Sequence, residues 1–435
     1  MNSKFTSKGV IEKHNQEMAQ AVGHYVQVAF DRGEGSYLYD FEGKKYLDFA
    51  VGICVCNVGH CHPEVVKVVQ EQTAKLMHTS SIGYYKENIE FAELIKQSGP
   101  SSMRDSKVIF VNSGSEAVEV ALRIPRMVLR KSNIIAFLGG FHGRPMGALA
   151  ATASNSAYRK GMTGLMAGVQ HGIFPNVYRN PFGVHDPDKL SDICLEIVQE
   201  MIDHIAPAED LAGILIEPQQ GEGGYIPAPK KFIQGLRKIC DKTGSALIFD
   251  EIQTGFGRTG KMFAYEHFGV EPDVLAFAKS AGGGLPLGGV IATKELMDKW
   301  SVGSYGSTFG GNPVACCCGK KTTEIIQRDH LTENAANLGA YTKEKLNEAK
   351  KEIPAIGDVR GLGLMIGVEL INKDGSPATD LIKAFMKEVP KRGLVITKAG
   401  KSVIRICPAL NITKEQLDEG LDIIIQTLKD LGMGM

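Results

Sequence analysis

Residues 246–289 read ALIFDEIQTGFGRTGKMFAYEHFGVEPDVLAFAKSAGGGLPLGG. Two short apolar runs within it, ALIFDE (246–251) and VLAFAK (274–279), end in charged residues. Apolar runs of this length suit strands covered on both faces. A lysine that ends such a strand is costly unless it is paired or chemically engaged. The glycines after Lys279 would let a ligand or another backbone come close.

Outward from this stretch, the same pattern repeats. KVIFVN (107–112), NIIAFLGG (133–140), AGILIEP (212–218) and GGVIAT (288–293) are further short apolar runs closed by glycine or polar residues. EAVEVALRIPRMVLR and PKKFIQGLRKICDKTG, which lie between such runs, have helical periodicity, and Pro125 should kink or shorten the first of them. Strand–helix alternation predicts an α/β domain with a largely parallel sheet. Nearer the N-terminus, SYLYDFEGKKYLDFA (36–50) alternates apolar and polar residues around Glu42-Gly43 and reads as a hairpin. Beyond about residue 320 the pattern becomes long helix, strand, helix, strand, helix, which predicts a smaller α+β domain. The expected division is an N-terminal segment 1–60 that contributes to the small domain, a large α/β domain over 61–320, and the small domain proper over 321–435.

The bulk composition narrows the classes. The chain has 435 residues, 43% hydrophobic and 23% charged, with 49 basic and 49 acidic side chains. A zero formal net charge gives no reason to expect nucleic acid or an anionic membrane as partner. No apolar run is long enough to span a bilayer, and the polar start MNSKFTSKGVIEKHNQE lacks the apolar core of a secretory signal. Nine scattered cysteines fit free thiols in a reducing compartment, so a cytoplasmic location is expected. His60, Cys61 and His62 resemble metal ligands, but sequence neighbours rarely converge on one ion, and no metal is expected. Cys316, Cys317 and Cys318 read as small residues packed within a helix.

In α/β sheets ligands bind beyond the carboxyl ends of the strands, so the residues there carry the functional reading. After KVIFVN come Gly114 and Ser115 at the start of a helix, where free N–H groups and the helix dipole favour an anion. Ser115 would cap that helix in any case, and alone the segment reads as a cap. After NIIAFLGG come Phe141, which could stack on a planar ring, and Arg144, whose fork grips carboxylates. Alone these read as a packed aromatic and a surface arginine. Asp250 ends an apolar run and should be buried, where a carboxylate wants a cationic partner; a helix cap is the plainer role. Lys279 could be a nucleophile toward an aldehyde if desolvation lowers its pKa, or a lysine whose stem snorkels to water. Taken together, an anion-binding helix start, an aromatic, a buried Asp and a nucleophilic Lys are what pyridoxal 5′-phosphate needs.

Residues 248–289 closely resemble the signature of class III aminotransferases, pyridoxal-phosphate enzymes of fold type I. NSGSEAVEVALR, FHGR, IEPQQGEGGY, GSTFGGNP and VRGLGLMIGVEL occur in the family's order, and the resemblance runs from about residue 25 onward. It implies a fold-type I α/β transferase that moves an amino group from a donor to a 2-oxo acid. By the same resemblance, Lys279 matches the lysine that holds the cofactor aldehyde and shuttles the substrate Cα proton, and Asp250 matches the partner of the pyridine nitrogen. Gln253 matches a contact to the ring hydroxyl and Phe141 the stacked aromatic. Gly114 and Ser115 match the phosphate cradle, and His142 and Glu217 fall among the cofactor-binding positions. Thr308 matches a phosphate contact from the neighbouring subunit, which implies a homodimer, with or without further pairing of dimers. Arg405 matches the arginine that takes the α-carboxylate of the oxo acid. Glu222 matches the glutamate that pairs with that arginine when an ω-amino acid is bound, and Arg144 matches an arginine for a distal carboxylate. These point to an ω-amino donor such as 4-aminobutyrate, with 2-oxoglutarate or pyruvate as acceptor. The alternative is an amino-acid racemase or epimerase of the same family. A nucleotide-binding reading is weak, because Val314 stands where a phosphate loop ending at Gly319-Lys320 needs glycine.

Overall fold

The computed structural model describes residues 5–162 and 164–432. At its centre is a seven-stranded sheet in the order Val108–Val111, Gly288–Ala292, Val274–Phe277, Ala246–Asp250, Leu211–Ile216, Asn133–Phe137, Val169–Gly172. The first six are the six apolar runs picked out by sequence. Four of the six neighbouring pairs are parallel; only Gly288–Ala292 runs against both of its neighbours. Every residue of Leu211–Ile216, Ala246–Asp250, Val274–Phe277 and Gly288–Ala292 is buried, as strands covered on both faces require. The seventh strand, Val169–Gly172 (VQHG), escaped the sequence reading because only one of its four residues is apolar.

The helices flanking this sheet follow their periodicity. Gly114–Leu129 buries Ala117, Val118, Val120, Ala121, Leu122, Ile124 and Pro125 against it. This helix departs from expectation, running unbroken for 16 residues with Pro125 inside it. Burial of one whole face outweighs the single hydrogen bond that a proline forfeits. Lys230–Thr243 covers the other side and ends at Gly244 in the left-handed conformation (φ 60°).

Two four-stranded, antiparallel-rich sheets and a two-stranded ribbon, Gln219–Gln220 with Ile226–Pro227, lie outside it. The hairpin expected over 36–50 forms from Tyr37–Asp40 and Lys45–Asp48, with Phe30–Glu34 on its outer edge. Its inner edge pairs in parallel with Leu394–Val395, some 350 residues away in sequence. A second four-stranded sheet, in the order Ile356–Leu362, Met365–Leu370, Val403–Ile406, Thr397–Ala399, is antiparallel throughout. The helices Leu331–Glu352, Thr379–Glu388 and Lys414–Gly432 pack over it.

Arg258 ties these parts together. It is fully buried, which is rare for an arginine without a carboxylate partner. Its Nη1 donates to the carbonyls of Leu364 (3.0 Å) and Pro408 (2.6 Å), and its Nη2 donates to Asn57 Oδ1. Asn57 in turn donates to the carbonyl of Phe256 at 2.7 Å. One guanidinium therefore satisfies groups from three distant segments. Arg258→Met keeps most of the side-chain volume but strands these acceptors. Stability should fall by about 3 kcal/mol or more, read as a lower denaturant midpoint at unchanged slope. A loss below about 1 kcal/mol would show that water replaces the guanidinium there.

Candidate active site

A cavity of about 330 Å³ opens beyond the carboxyl ends of the central strands. Eleven of the twelve residues singled out from sequence line it: Gly114, Ser115, Phe141, His142, Arg144, Glu217, Glu222, Asp250, Gln253, Lys279 and Arg405. Thr308 does not. It is exposed, on the loop between Trp300 and Pro313, outside this chain's own cavity.

Each side chain is placed by local structure. Asp250 ends the Ala246–Asp250 strand and is 3% exposed. Its Oδ2 lies 2.8 Å from His142 Nδ1, and its Oδ1 accepts from the Ile252 N–H at 3.1 Å. His142 is held from behind, its N–H donating to Thr152 Oγ1 at 2.9 Å. Burial would strip the proton from His142, but its bond to Asp250 and the charges of Asp250 and Glu217 raise its pKa above the ordinary histidine value. Glu217, beyond the next strand, accepts from the N–H groups of Phe141 (2.9 Å) and Gly221 (3.0 Å). Burial first, and Asp250 second, push its carboxyl up to about 7 against the opposing effect of His142.

Lys279 follows the Val274–Phe277 strand by two residues and begins a short 3-10 turn. Its φ is +52°, a left-handed conformation that a side-chain-bearing residue adopts at a cost of about 1–3 kcal/mol. Desolvation lowers its pKa, and Arg405 pushes the same way, while Cys54, Asp250 and Glu217 oppose. The glycine run behind it serves packing. A Cβ on Gly283 would stand 2.1 Å from Thr322 Oγ1 of the Pro313–Arg328 helix, so it is the close approach of that helix that demands glycine.

Gly114 and Ser115 open the Gly114–Leu129 helix, and the cap is Ser113, whose Oγ accepts from the Glu116 N–H at 3.2 Å. The capping role considered for Ser115 therefore falls to its neighbour, and Ser115 is left facing the cavity. Gln253 lies along Gly221, where a Cβ would stand 1.8 Å from its Oε1. Its Nε2 points to Cys54 Sγ (3.4 Å) and the Tyr225 hydroxyl (3.5 Å).

At Arg405, on the Val403–Ile406 strand and 2% exposed, Nη2 pairs with Glu222 Oε2. The loop carrying Glu222 is clamped to the antiparallel sheet. Arg360 Nε and Nη2 donate to the Gly224 carbonyl at 3.0 and 2.8 Å, and Gln219 Nε2 donates to the Met365 carbonyl at 2.8 Å. Arg144 is exposed and lies over two rings, its Cζ 5.2 Å from the centroid of Phe141 and 4.7 Å from that of Tyr158.

Sequence reasoning missed Tyr25, Gly52, Ile53, Tyr158 and Ile252, which also line the cavity. Val51, Gly52, Ile53 and Cys54 all have positive φ (39°, 68°, 66° and 61°), a strained turn at the cavity wall that no motif announces. Tyr158 lies in the polar loop ATASNSAYRKG, which carries no periodic signal.

Comparison with known proteins agrees with this geometry. A family model described as Aminotransferase class-III matches residues 18–428. The 4-aminobutyrate aminotransferase GabT of Escherichia coli is 39% identical over 98% of this chain and 98% of its own. The 5-aminovalerate aminotransferase DavT of Pseudomonas aeruginosa is 37% identical over 98% of this chain and 99% of its own. The structure of an amine transaminase from an uncultivated Pseudomonas species, in its PLP-bound form, superposes with a TM-score of 0.88 at 28% identity, covering 96% of this chain and 98% of that one. The fold and the site define a fold-type I pyridoxal-phosphate transferase. The chain belongs to the class III aminotransferases, and its cofactor is pyridoxal 5′-phosphate.

The residues present fit that group. The cavity is of a size to enclose it. A buried carboxylate, an aromatic ring, the Gly114–Ser115 start of a helix and a lysine amine held below its ordinary pKa all face one space. Among the described residues no helix is long and apolar enough to cross a membrane.

Proposed function

We propose that this protein transfers an amino group from an ω-amino acid, such as 4-aminobutyrate, to a 2-oxo acid such as 2-oxoglutarate or pyruvate. The observation that carries the donor class is the pairing of Arg405 with Glu222 while Arg144, in the same cavity, has no carboxylate partner among the described residues. An ω-amino acid brings one carboxylate, which suits Arg144, and has none for Arg405. Glu222 then neutralises the buried guanidinium. A dicarboxylic oxo acid brings two and displaces Glu222. Arg405 Nε is buried with no hydrogen-bond partner among the described residues, a donor that Glu222 leaves unused. The names of GabT and DavT point to the same donor class.

In this reading Lys279 would hold the cofactor aldehyde and afterwards carry the proton to and from the substrate carbon that bears the amino group. Asp250, steadied by His142, keeps a proton on the pyridine nitrogen. When bound, pyridoxal 5′-phosphate supplies the electron sink for the carbanion at that carbon. Phe141 faces the ring, Gln253 its hydroxyl, and the N–H groups at Gly114 and Ser115 its phosphate. His142 and Glu217 support this cradle from within the chain.

The working unit in this proposal is a cytoplasmic homodimer in which Thr308 completes the partner's phosphate site. Ile82 (92%), Tyr84 (103%), Val302 (105%) and Phe309 (61%) are large apolar side chains left exposed. Their loops are neighbours, since His78 and Phe309 rings lie 4.8 Å apart and Tyr85 donates to the Gly311 carbonyl at 2.7 Å. We further assign residues 61–320 to the cofactor-binding domain, and 1–60 with 321–435 to the smaller one.

The test is an absorbance spectrum of the cofactor-loaded protein. Adding 4-aminobutyrate without an oxo acid should bleach the visible band, and 2-oxoglutarate should restore it. No bleaching, together with racemisation of an α-amino acid in the absence of any oxo acid, would replace this reading by the racemase alternative.

A further inference from the structure

Tyr158 stands between the two arginines. Its hydroxyl donates to Glu222 Oε1 at 3.1 Å, while Glu222 Oε2 is taken by Arg405. Its ring carries the Arg144 guanidinium at 4.7 Å and meets the edge of Phe141 at 5.6 Å. Glu222 is thus held by one bond from each side, and only one of those bonds comes from the arginine that it neutralises. Burial first, and Glu222 with it, raise the pKa of the Tyr158 hydroxyl, so it remains a donor throughout the neutral range.

We propose that Tyr158 is a specificity-determining positioning residue: through its hydroxyl it biases Glu222 toward Arg405, and so sets how strongly the site resists a second substrate carboxylate. This rests on the two-arginine reading given above. A ligand with a single carboxylate leaves the Glu222–Arg405 pair in place and never works against Tyr158. A dicarboxylate must take Arg405 from Glu222, and the Tyr158–Glu222 bond is part of what it displaces. Removing the hydroxyl therefore favours the dicarboxylate and leaves the monocarboxylate alone. The ring has a separate task, as the platform under Arg144, and Tyr158→Phe retains it.

The probes are glutarate, a dicarboxylate, and valerate, a monocarboxylate; neither has an amino or keto group to react. Their dissociation constants are measured by calorimetry on the cofactor-loaded protein. Tyr158→Phe should bind glutarate about three- to tenfold more tightly than the wild type, the range set by one hydrogen bond to a partly exposed carboxylate. Valerate should change by less than about twofold, which is the readout a merely structural role would not give. In steady state the KM for 2-oxoglutarate should fall while that for 4-aminobutyrate holds. In a Glu222→Gln background, where the competing charge is gone, adding Tyr158→Phe should bring no further tightening of glutarate.

An unchanged glutarate affinity, or a parallel shift of both ligands, would overturn the role of Tyr158 while leaving the two-arginine site intact. So would a full tightening that persists without the Glu222 charge. A wild type that binds glutarate no better than valerate and does not bleach with 4-aminobutyrate would overturn the underlying reading, and this inference with it.

Discussion

Lys279→Ala should lower sustained amino-group transfer by about 10³-fold or more, because in the proposed mechanism one side chain supplies both the anchoring nucleophile and the proton carrier. The structure prepares the amine for both tasks. It stands two residues past the end of a fully buried strand, where desolvation lowers its pKa, in a backbone conformation that costs energy to hold. A lysine kept for charge or solubility would have neither feature. Loss of the amine should affect kcat far more than KM, since the proposed carboxylate contacts are to Arg144 and Arg405, elsewhere in the cavity. Small primary amines added in solution should restore part of the rate by replacing the missing base. If Lys279→Ala kept a tenth of the wild-type rate over many cycles, the assignment of this residue would be wrong.

Asp250→Asn should lower kcat by about 10²- to 10⁴-fold with a smaller change in KM. The substitution keeps shape and burial and removes only the charge. The carboxylate lies 2.8 Å from His142 Nδ1, with both side chains almost wholly out of water. A buried carboxylate beside a histidine of raised pKa is a fixed electrostatic device, and in the proposed mechanism its use would be to hold a proton on the cofactor's ring nitrogen. An asparagine cannot hold that proton. The protein should still fold and still take up cofactor, shown by retained absorbance after gel filtration. A rate within about tenfold of wild type would mean that the His142–Asp250 pair is structural and that the nitrogen is served otherwise.

The central sheet was legible because burial on both faces leaves a compositional mark. All six apolar runs became strands of one sheet, and every residue singled out for the site but Thr308 came to one cavity. The miss at Val169–Gly172 has the same origin: an edge strand with a polar face leaves no apolar run to find. Arg258 shows a second kind of miss. Only the folded chain shows that its side chain reaches the carbonyls of Leu364 and Pro408.

Thus the sequence by itself determined the class of fold and the cofactor chemistry, through local pattern and residue type at strand ends, and the family resemblance added most of the other groups that face the cavity. Tertiary structure alone decided how those groups are coupled. The bond from Tyr158 to Glu222 spans 64 residues, and that from Arg405 to Glu222 spans 183. A hydrogen bond depends on positions in space to within an ångström or so, and no periodicity along a chain encodes a distance between two loops.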